Sequence, residues 1–330
     1  QSGSVGKQFT SAGIMKMVEE NLLRLDESIL KYIAEGPKKW KSITIRHLLT
    51  HSSGIPDYTS EEFDYSKNYS EEDLVEMASK LDLEFSAGKR WNYSNTGYVL
   101  LGVIMSRVAK KPYWEYLDEH IFTPAGMHSI RINTEKDIVP NKAKGYIPSK
   151  EGYQHASYVA PITNTTADGS MLLSLEDLLA WNSTVKNKMI LKRKSWNLIL
   201  SPMKLNSGNN YPYGFGWFIE KKNEKTVHQH GGTWQGFTAQ IFRFIEDELE
   251  VLLLTNARSI AAYELPRKIA ALINPSLKAQ SLPTKPIVDE MPEITKLIRE
   301  KLINISNGKL ELNDFSFIRQ TVFPPVSYTH

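Results

Sequence analysis

Apolar residues recur at helical spacing from Ser4 to about Asn21, where Phe9, Ile14, Met15 or Met17, and Val18 share one side of a helix. Gly3-Ser4 supplies its N-terminal boundary. The same rhythm resumes after a short break from Leu22 to Ile33. "ITIRHLLTHSSGIPDY" (43–58) passes from a short apolar stretch into a loop punctuated by Gly54 and Pro56. Further helices are expected from Glu71 to about Leu81, over the strongly apolar 98–109 and over the amphipathic 112–122, with 85–97 a loop. Residues 128–166 read as irregular. Ser174-Leu175-Glu176-Asp177 then has the form of a capping box that opens another helix.

The period changes in the last third. Residues 213–220, 225–230, 237–244 and 248–256 read as successive strands. "KKNE", "GGTWQG" and "IED" separate them and are short enough for hairpins, so the strands form an antiparallel meander. A helix follows over about 260–273, then a Pro-rich linker at 274–292. One more helix, about 293–305, opens a C-terminal region, 293–330, that is too short to fold as a domain of its own. Helices followed by sequential hairpins point to an α+β fold. We expect a helical subdomain, mainly 45–185, beside an antiparallel sheet flanked by helices, with the functional site in the cleft between them.

Composition narrows the function classes. Of 330 residues, 41% are hydrophobic and 23% charged, as in a globular protein. The net charge of +3 is spread along the chain and gives no footprint for nucleic acid. The absence of cysteine removes thiol nucleophiles, disulfide scaffolds and cysteine zinc sites. No apolar run approaches the roughly 18–20 residues of a membrane span.

Three short stretches carry candidate chemistry. Ser4 and Lys7 are three residues apart at a helix start, so the amine can reach the hydroxyl. The spacing alone is not specific, because it recurs at Ser28–Lys31, Ser86–Lys89, Ser183–Lys186, Ser201–Lys204 and Ser306–Lys309. Ser4 differs in standing at a helix N-terminus between Gly3 and Gly6, where the dipole favours negative charge and there is room for a substrate. A buried lysine of depressed pKa there would accept the serine proton.

Tyr93-Ser94-Asn95 is the chain's only Tyr-x-Asn. A phenol near an ammonium ionises more readily and can act as a base, while the amide can hold a carbonyl. The bland alternative is a loop tyrosine and a capping asparagine. His230-Gly231-Gly232 ends a strand, where paired glycines let a substrate lie along the edge and the Thr233 N–H can face the cleft. A plain Gly-Gly hairpin turn is the competing account.

Together these stretches resemble the serine hydrolases of the penicillin-binding protein and class C β-lactamase superfamily. "SVGKQFT", "ITIRHLLTHSSGIPDY", "WNYSNTGYVLLG", "IFTPAGM", "ADGSMLLSLEDLLAW", "YGFGW" and "HGGTWQGF" look like the family's landmarks in its order, over residues 3–272. The resemblance implies a β-lactamase/transpeptidase-like fold over 1–273. It implies Ser4 as acylated nucleophile, Lys7 as its activating partner, and Tyr93 as the base that also protonates the leaving group. Asn95 would be a polar contact to substrate, and His230, Gly231 and Gly232 would line it. The backbone N–H groups of Ser4 and Thr233 would form the oxyanion hole.

The implied reaction is hydrolysis of esters or D-amino-acid amides and peptides through an acyl-enzyme, with no metal or organic cofactor. A β-lactamase or DD-peptidase proper, and a non-catalytic penicillin-binding sensor, are the alternatives. Partners would be small-molecule esters, peptides or β-lactams, with peptidoglycan a further candidate, in a periplasmic or secreted setting.

Two departures stand out. His230 replaces the lysine of the Lys-Thr-Gly found in many relatives, and a neutral imidazole is a poorer carboxylate anchor, which favours esterase or peptidase-like chemistry. Ala87-Gly88 replaces the usual Pro-Gly. Relatives also place a helix and the first sheet strands before the nucleophile, so the chain is expected to be a fragment whose meander keeps an exposed edge.

Two rivals rest on the residues alone. His228-x-His230 puts two imidazoles on one strand face, a possible metal pair without a third ligand at useful spacing. An α/β-hydrolase would need a Gly-x-Ser-x-Gly elbow, and the chain has none.

Overall fold

A computed structural model describes residues 1–59, 63–132, 138–160, 166–169, 171–222, 224–258, 261–278 and 289–306. Its helices are α1 (Lys7–Glu19), α2 (Ile45–Leu49), α3 (Glu71–Lys80), α4 (Asn95–Ala109), α5 (Tyr113–Leu117), α6 (Thr123–Ala125), α7 (Leu175–Lys186), α8 (Arg193–Ile199), α9 (Ala261–Ile273) and α10 (Pro292–Ser306). Its strands are β1 (Arg131–Ile132), β2 (Tyr146–Ser149), β3 (Gly152–His155), β4 (Met171–Leu172), β5 (Met203–Lys204), β6 (Asn210–Tyr211), β7 (Phe218–Lys222), β8 (Lys225–Trp234), β9 (Phe237–Phe244) and β10 (Leu249–Thr255). Residues 1–278 form one compact unit and 279–330 a second, in which α10 is described. The fold is α+β, as expected.

Helix α1 is central to the first unit. Phe9, Ala12, Ile14, Met15 and Met17 are buried on it, and Phe9 meets Phe122 and Trp181 edge-on. The helix is buried nearly all round, so it also encloses polar groups, and each must find a partner. Trp181 Nε1 donates to Gln8 Oε1 (2.7 Å), and Thr10 donates to the Ala167 carbonyl (2.7 Å). Leu22 to Ile33 does not continue the helix. Asn21 turns the chain with φ +59°, and only a short 3-10 turn, Ile29–Lys31, forms beyond it.

The main sheet has the order β10-β9-β8-β7, antiparallel throughout. All eight residues of β9 are buried because both faces are covered, polar Thr238, Gln240 and Arg243 among them. On one face Ala239 and Ile241 join the main core; on the other Phe242 and Phe244 pack with Val251 and with Ala270 of α9.

Two local differences from the sequence reading bear on function. The segment 213–217, expected as strand, is an irregular bend, and β7 begins only at Phe218. Gly216, with φ +75°, carries that bend against α1: a Cβ there would lie 2.8 Å from the Lys7 carbonyl oxygen. The "GGTWQG" stretch, expected as a hairpin connection, is mostly strand, and only Gln235-Gly236 turns, both at positive φ.

The irregular 128–166 includes the small hairpin β2–β3, whose short, half-exposed strands carry too little alternation to be read from sequence. The Pro-rich segment opens with a 3-10 turn, Pro275–Leu277, where Leu277 packs on the α9 face of the sheet. Residues 279–288 of that segment, and 307–330 of the C-terminal region, lie outside the described residues.

Candidate active site

Ser4 stands in a 3-10 turn, Gly3–Gly6, that runs directly into α1. The turn is pinned at Ser2, whose N–H donates to the Met171 carbonyl (2.7 Å) and whose hydroxyl donates to the Gly169 carbonyl (3.1 Å). It also presses on β8. A Cβ on Gly3 would lie 2.4 Å from the Thr233 nitrogen, and one on Gly232 would lie 2.6 Å from the Ser4 nitrogen. Only glycine at both positions brings the two backbones so close. The amides of Ser4 and Thr233 thereby come together, as an oxyanion hole needs.

This approach is possible because β7 pairs with β8 only as far as Gln229. Beyond it, Gly231 to Trp234 pair with β9 on one side and meet the Ser4 turn on the other.

Lys7 is completely buried. Its Nζ lies 3.1 Å from Ser4 Oγ, 2.7 Å from Asn95 Oδ1 and 2.5 Å from the Asp168 carbonyl oxygen. Burial pulls its pKa down to about 8, with the Asp168 and Asp57 carboxylates opposing the fall. Asn95 is the first residue of α4 and not a loop residue, and Ser94 caps the helix by accepting from the Gly97 N–H (3.3 Å). The backbone N–H and side-chain Nδ2 of Asn95 both donate to Asp57 Oδ2 (2.8 and 3.0 Å). That pairing fixes the amide with its oxygen toward Lys7.

The Tyr93 hydroxyl is buried and makes no hydrogen bond. Burial holds its pKa well above the ordinary phenol value, and the neighbouring Ser4 side chain opposes this only in part. The Ser4 hydroxyl is its close neighbour without being a bonded partner. The Lys7 ammonium sits 5.0 Å from the Tyr93 ring centre.

A row of hydrogen bonds backs the site. The Ser94 N–H donates to His51 Nδ1 (3.1 Å), so in the neutral ring His51 Nε2 carries the proton and donates to the Tyr213 oxygen (3.1 Å). Tyr213 donates in turn to His230 Nε2 (3.1 Å), and His230 Nδ1 donates to the Gly231 carbonyl (2.7 Å). The two chain ends thus fix both tautomers. Burial and then the Lys7 charge push His230 down to about 3, and burial with the Lys7 and His230 charges holds His51 well below its usual range. Both rings are neutral at physiological pH. Both nitrogens of His230 are engaged within the protein, so what it offers a substrate is its ring and its backbone.

Ser4, Lys7, Tyr93, Asn95, His230, Gly231, Gly232 and Thr233 therefore converge. Ser4, Tyr93, His230, Gly231 and Thr233 line one cavity of about 510 Å³. His228 shares a strand face with His230 but lies opposite Arg243 across the β8–β9 pair, and burial with that charge lowers it to about 4. Among the described residues no group of three or more His, Asp or Glu could hold a metal.

Sequence reasoning missed Asp57, Asp168, His51 and Tyr213. All four lie in stretches noted for their resemblance, "THSSGIPDY", "ADGS" and "YGFGW". Nothing in residue spacing singles out a carboxylate that acts through an asparagine, or a tyrosine between two histidines.

Known proteins show the same arrangement of elements. The Beta-lactamase family model matches residues 1–273. Penicillin-binding protein 4* of Bacillus subtilis (strain 168) is 30% identical over 278 residues, covering 79% of this chain and 61% of that protein. The chain thus spans less than two thirds of that relative's length. The crystal structure of a penicillin-binding protein from Bacillus halodurans has a TM-score of 0.72 at 25% identity, covering 82% of this chain and 85% of that one. The D-amino acid amidase of Ochrobactrum anthropi SV3, crystallised with L-phenylalanine, shares the fold with a TM-score of 0.72 at 23% identity, covering 84% of each chain. With its β8 edge laid against a buried Ser–Lys pair, and with these matches, the chain belongs to the β-lactamase family.

Proposed function

We propose that the protein is a serine hydrolase that cleaves esters and amides, D-amino-acid derivatives included, through an acyl-enzyme on Ser4. One observation carries the reading. Two of the three partners of Lys7 Nζ, the Asn95 and Asp168 carbonyl-type oxygens, only accept hydrogen bonds. A neutral Lys7 must therefore spend both N–H bonds on them, which leaves its lone pair facing the Ser4 hydroxyl at 3.1 Å. With a pKa of about 8, that neutral form is accessible near physiological pH.

The proton path follows. Ser4 Oγ attacks the substrate carbonyl carbon and its proton passes to Lys7. The negative charge on the carbonyl oxygen falls between the Ser4 and Thr233 amides. Tyr93, a phenol because burial raises its pKa, gives its proton to the departing group. Lys7 returns the proton to Tyr93. Water then attacks the acyl carbon, loses its proton to Lys7, and Ser4 recovers its own. The order differs from the resemblance, which made Tyr93 the first base: burial, and not the lysine charge, dominates the phenol.

The name of the Bacillus relative supports penicillin as a probe of the same serine, and the amidase neighbour supports an amide substrate. A neutral His230 offers no cation for a β-lactam carboxylate, and Arg267, which lines the same cavity, is already paired with Glu220, so simple esters and amides fit the site better. A setting outside the cytoplasm belongs to the same proposal and rests on the resemblance.

The test is intact mass and turnover with a fluorescent penicillin and with p-nitrophenyl acetate, using Ser4→Ala as control. An adduct or ester turnover that disappears in Ser4→Ala supports the reading. A folded protein that shows neither refutes it and favours a non-catalytic sensor.

A further inference from the structure

The strand edge that carries the Thr233 amide is built from the residues least able to hold a direction. Gly231 and Gly232 precede it, and neither position has room for a side chain. A Cβ on Gly231 would lie 2.7 Å from the Gln240 side chain, and one on Gly232 would lie 2.6 Å from the Ser4 nitrogen. Glycine leaves the backbone dihedrals least restricted. Pairing adds less than elsewhere in the sheet, because β7 stops at Gln229 and β9 is the one strand neighbour from Gly231 onward. An amide that must point at one oxygen atom there needs a hold from outside the strand.

Helix α9 supplies holds on both sides of the glycines. The helix is seated on the sheet by Ala270, fully buried against Phe242 and Phe244. Tyr263 and Arg267 stand one turn apart on the same helix face, and both line the larger cavity with Ser4. Arg267 donates to Glu220 Oε2 (2.6 Å), and Glu220 Oε1 accepts from Gln229 Nε2 (3.0 Å), which ties α9 to β8 just before the glycines. The Tyr263 hydroxyl hydrogen-bonds the Thr233 hydroxyl just after them. Gln229 and Thr233, four residues apart, lie on one face of the strand, the face that α9 covers.

Packing does not account for Tyr263. Its side chain is 47% exposed, and its hydroxyl reaches back to the strand.

We propose that Tyr263 is a positioning residue for the oxyanion hole: through the Thr233 hydroxyl it keeps the Thr233 amide aimed at the substrate oxygen. The proposal rests on the serine-hydrolase reading. The carbonyl oxygen gains charge as Ser4 attacks, and a donor fixed in advance needs no reorientation at that moment. Without the Tyr263 hydroxyl the Gly-Gly edge samples directions in which the N–H misses the oxygen. The expected loss is that of one neutral hydrogen bond, about three- to tenfold in kcat/KM.

The experiment measures kcat/KM for p-nitrophenyl acetate and for its thionoester, in which sulfur replaces the carbonyl oxygen. Sulfur accepts hydrogen bonds weakly, so the oxygen-to-sulfur ratio reads the oxyanion donors. The leaving group is the same in both, so a direct contact between Tyr263 and p-nitrophenoxide cancels, as does a general loosening of the protein. In Tyr263→Phe the oxygen ester is expected to lose about three- to tenfold, and the ratio to fall with it. Thr233→Val keeps the branched side chain, removes the hydroxyl and should lose about as much. Adding Tyr263→Phe to it should then cost less than about twofold more, because the two residues act through one bond. Thr233→Ser keeps the hydroxyl and should stay within about twofold of wild type.

A ratio unchanged in Tyr263→Phe, or a loss that persists in full on the Thr233→Val background, overturns the proposal. Should Tyr263→Phe not fold, Thr233→Val and Thr233→Ser decide the matter, and equal ratios in the two overturn it. Ser4-dependent turnover with a ratio indifferent to Tyr263 sinks this inference and leaves the hydrolase reading standing. No Ser4-dependent turnover of the oxygen ester sinks both.

Discussion

In the proposed mechanism Lys7 sets the pH dependence of the reaction, and its surroundings give the sign and size of the effect. It must be neutral to receive the Ser4 proton, and burial places its pKa at about 8. Below that value kcat/KM falls tenfold per pH unit, so at pH 6 the rate is roughly 100-fold under its plateau. No matching fall is expected up to pH 10, because Tyr93 is proposed to act as an acid and its pKa lies well above the usual phenol value.

Asp168→Asn sharpens the test. The Asp168 carboxylate favours the protonated lysine, so removing it shifts the acid limb to lower pH, by about one unit for a charge within ~6 Å. The variant would gain activity relative to its own plateau at pH 6. If Asp168 instead served to hold Lys7 charged for binding, the same substitution would abolish activity at every pH.

The assay is kcat/KM for p-nitrophenyl acetate from pH 5.5 to 10, corrected for spontaneous hydrolysis. The ester has no titrating group, so any limb belongs to the free enzyme. A flat profile between pH 6 and 8, or a limb that moves upward in Asp168→Asn, refutes Lys7 as the proton acceptor.

Two further substitutions probe the scaffold around that lysine. Tyr213→Phe removes the hydroxyl between His51 and His230, stranding a buried donor on one ring and a buried acceptor on the other. A loss of about 2–4 kcal/mol in stability is expected, measured by urea unfolding; a change under about 0.5 kcal/mol would mean that the row is not structural. Gly232→Ala puts a methyl 2.2 Å from the Ser2 carbonyl oxygen and 2.6 Å from the Ser4 nitrogen. The Ser4 turn must then separate from β8, and kcat is expected to fall by at least about 10²-fold, as for a lost oxyanion donor, in a protein whose circular dichroism is unchanged.

The elements that align one face of a segment against the core were legible from sequence. Helix α4, with its apolar "YVLLGVIM", and β9, buried along its whole length, stand where their patterns put them. The failures share a cause, which is that tertiary contact overrode local pattern. Residues 213–217 have strand composition, yet Gly216 and the need to pass beneath Lys7 bend them. Residues 231–234 have turn composition, yet pairing with β9 extends them into strand. In the site, Ser4, Lys7, Tyr93 and His230 were singled out because their types advertise their chemistry, and the structure brings them together. Asp57 and Asp168 were not, because their role depends on what they do not touch.

That last point explains why Lys7 titrates where it does. A buried lysine beside two carboxylates would ordinarily form an ion pair, and a direct pair would return its pKa toward that of a free amine and leave it useless as a base. Here neither carboxylate touches the ammonium. Asp57 reaches it only through the Asn95 amide, which donates from Nδ2 to the acid and accepts at Oδ1 from the lysine; Asp168 offers its backbone oxygen and turns its carboxylate to Tyr58. Each insertion replaces a full charge at contact with a dipole at contact and a charge one group further away. The remaining attraction tempers the cost of burying the lysine, while burial still dominates its pKa. Asn95 is thus an insulator between Asp57 and Lys7, and the Tyr-x-Asn spacing places it there at the first turn of α4, two residues from the phenol.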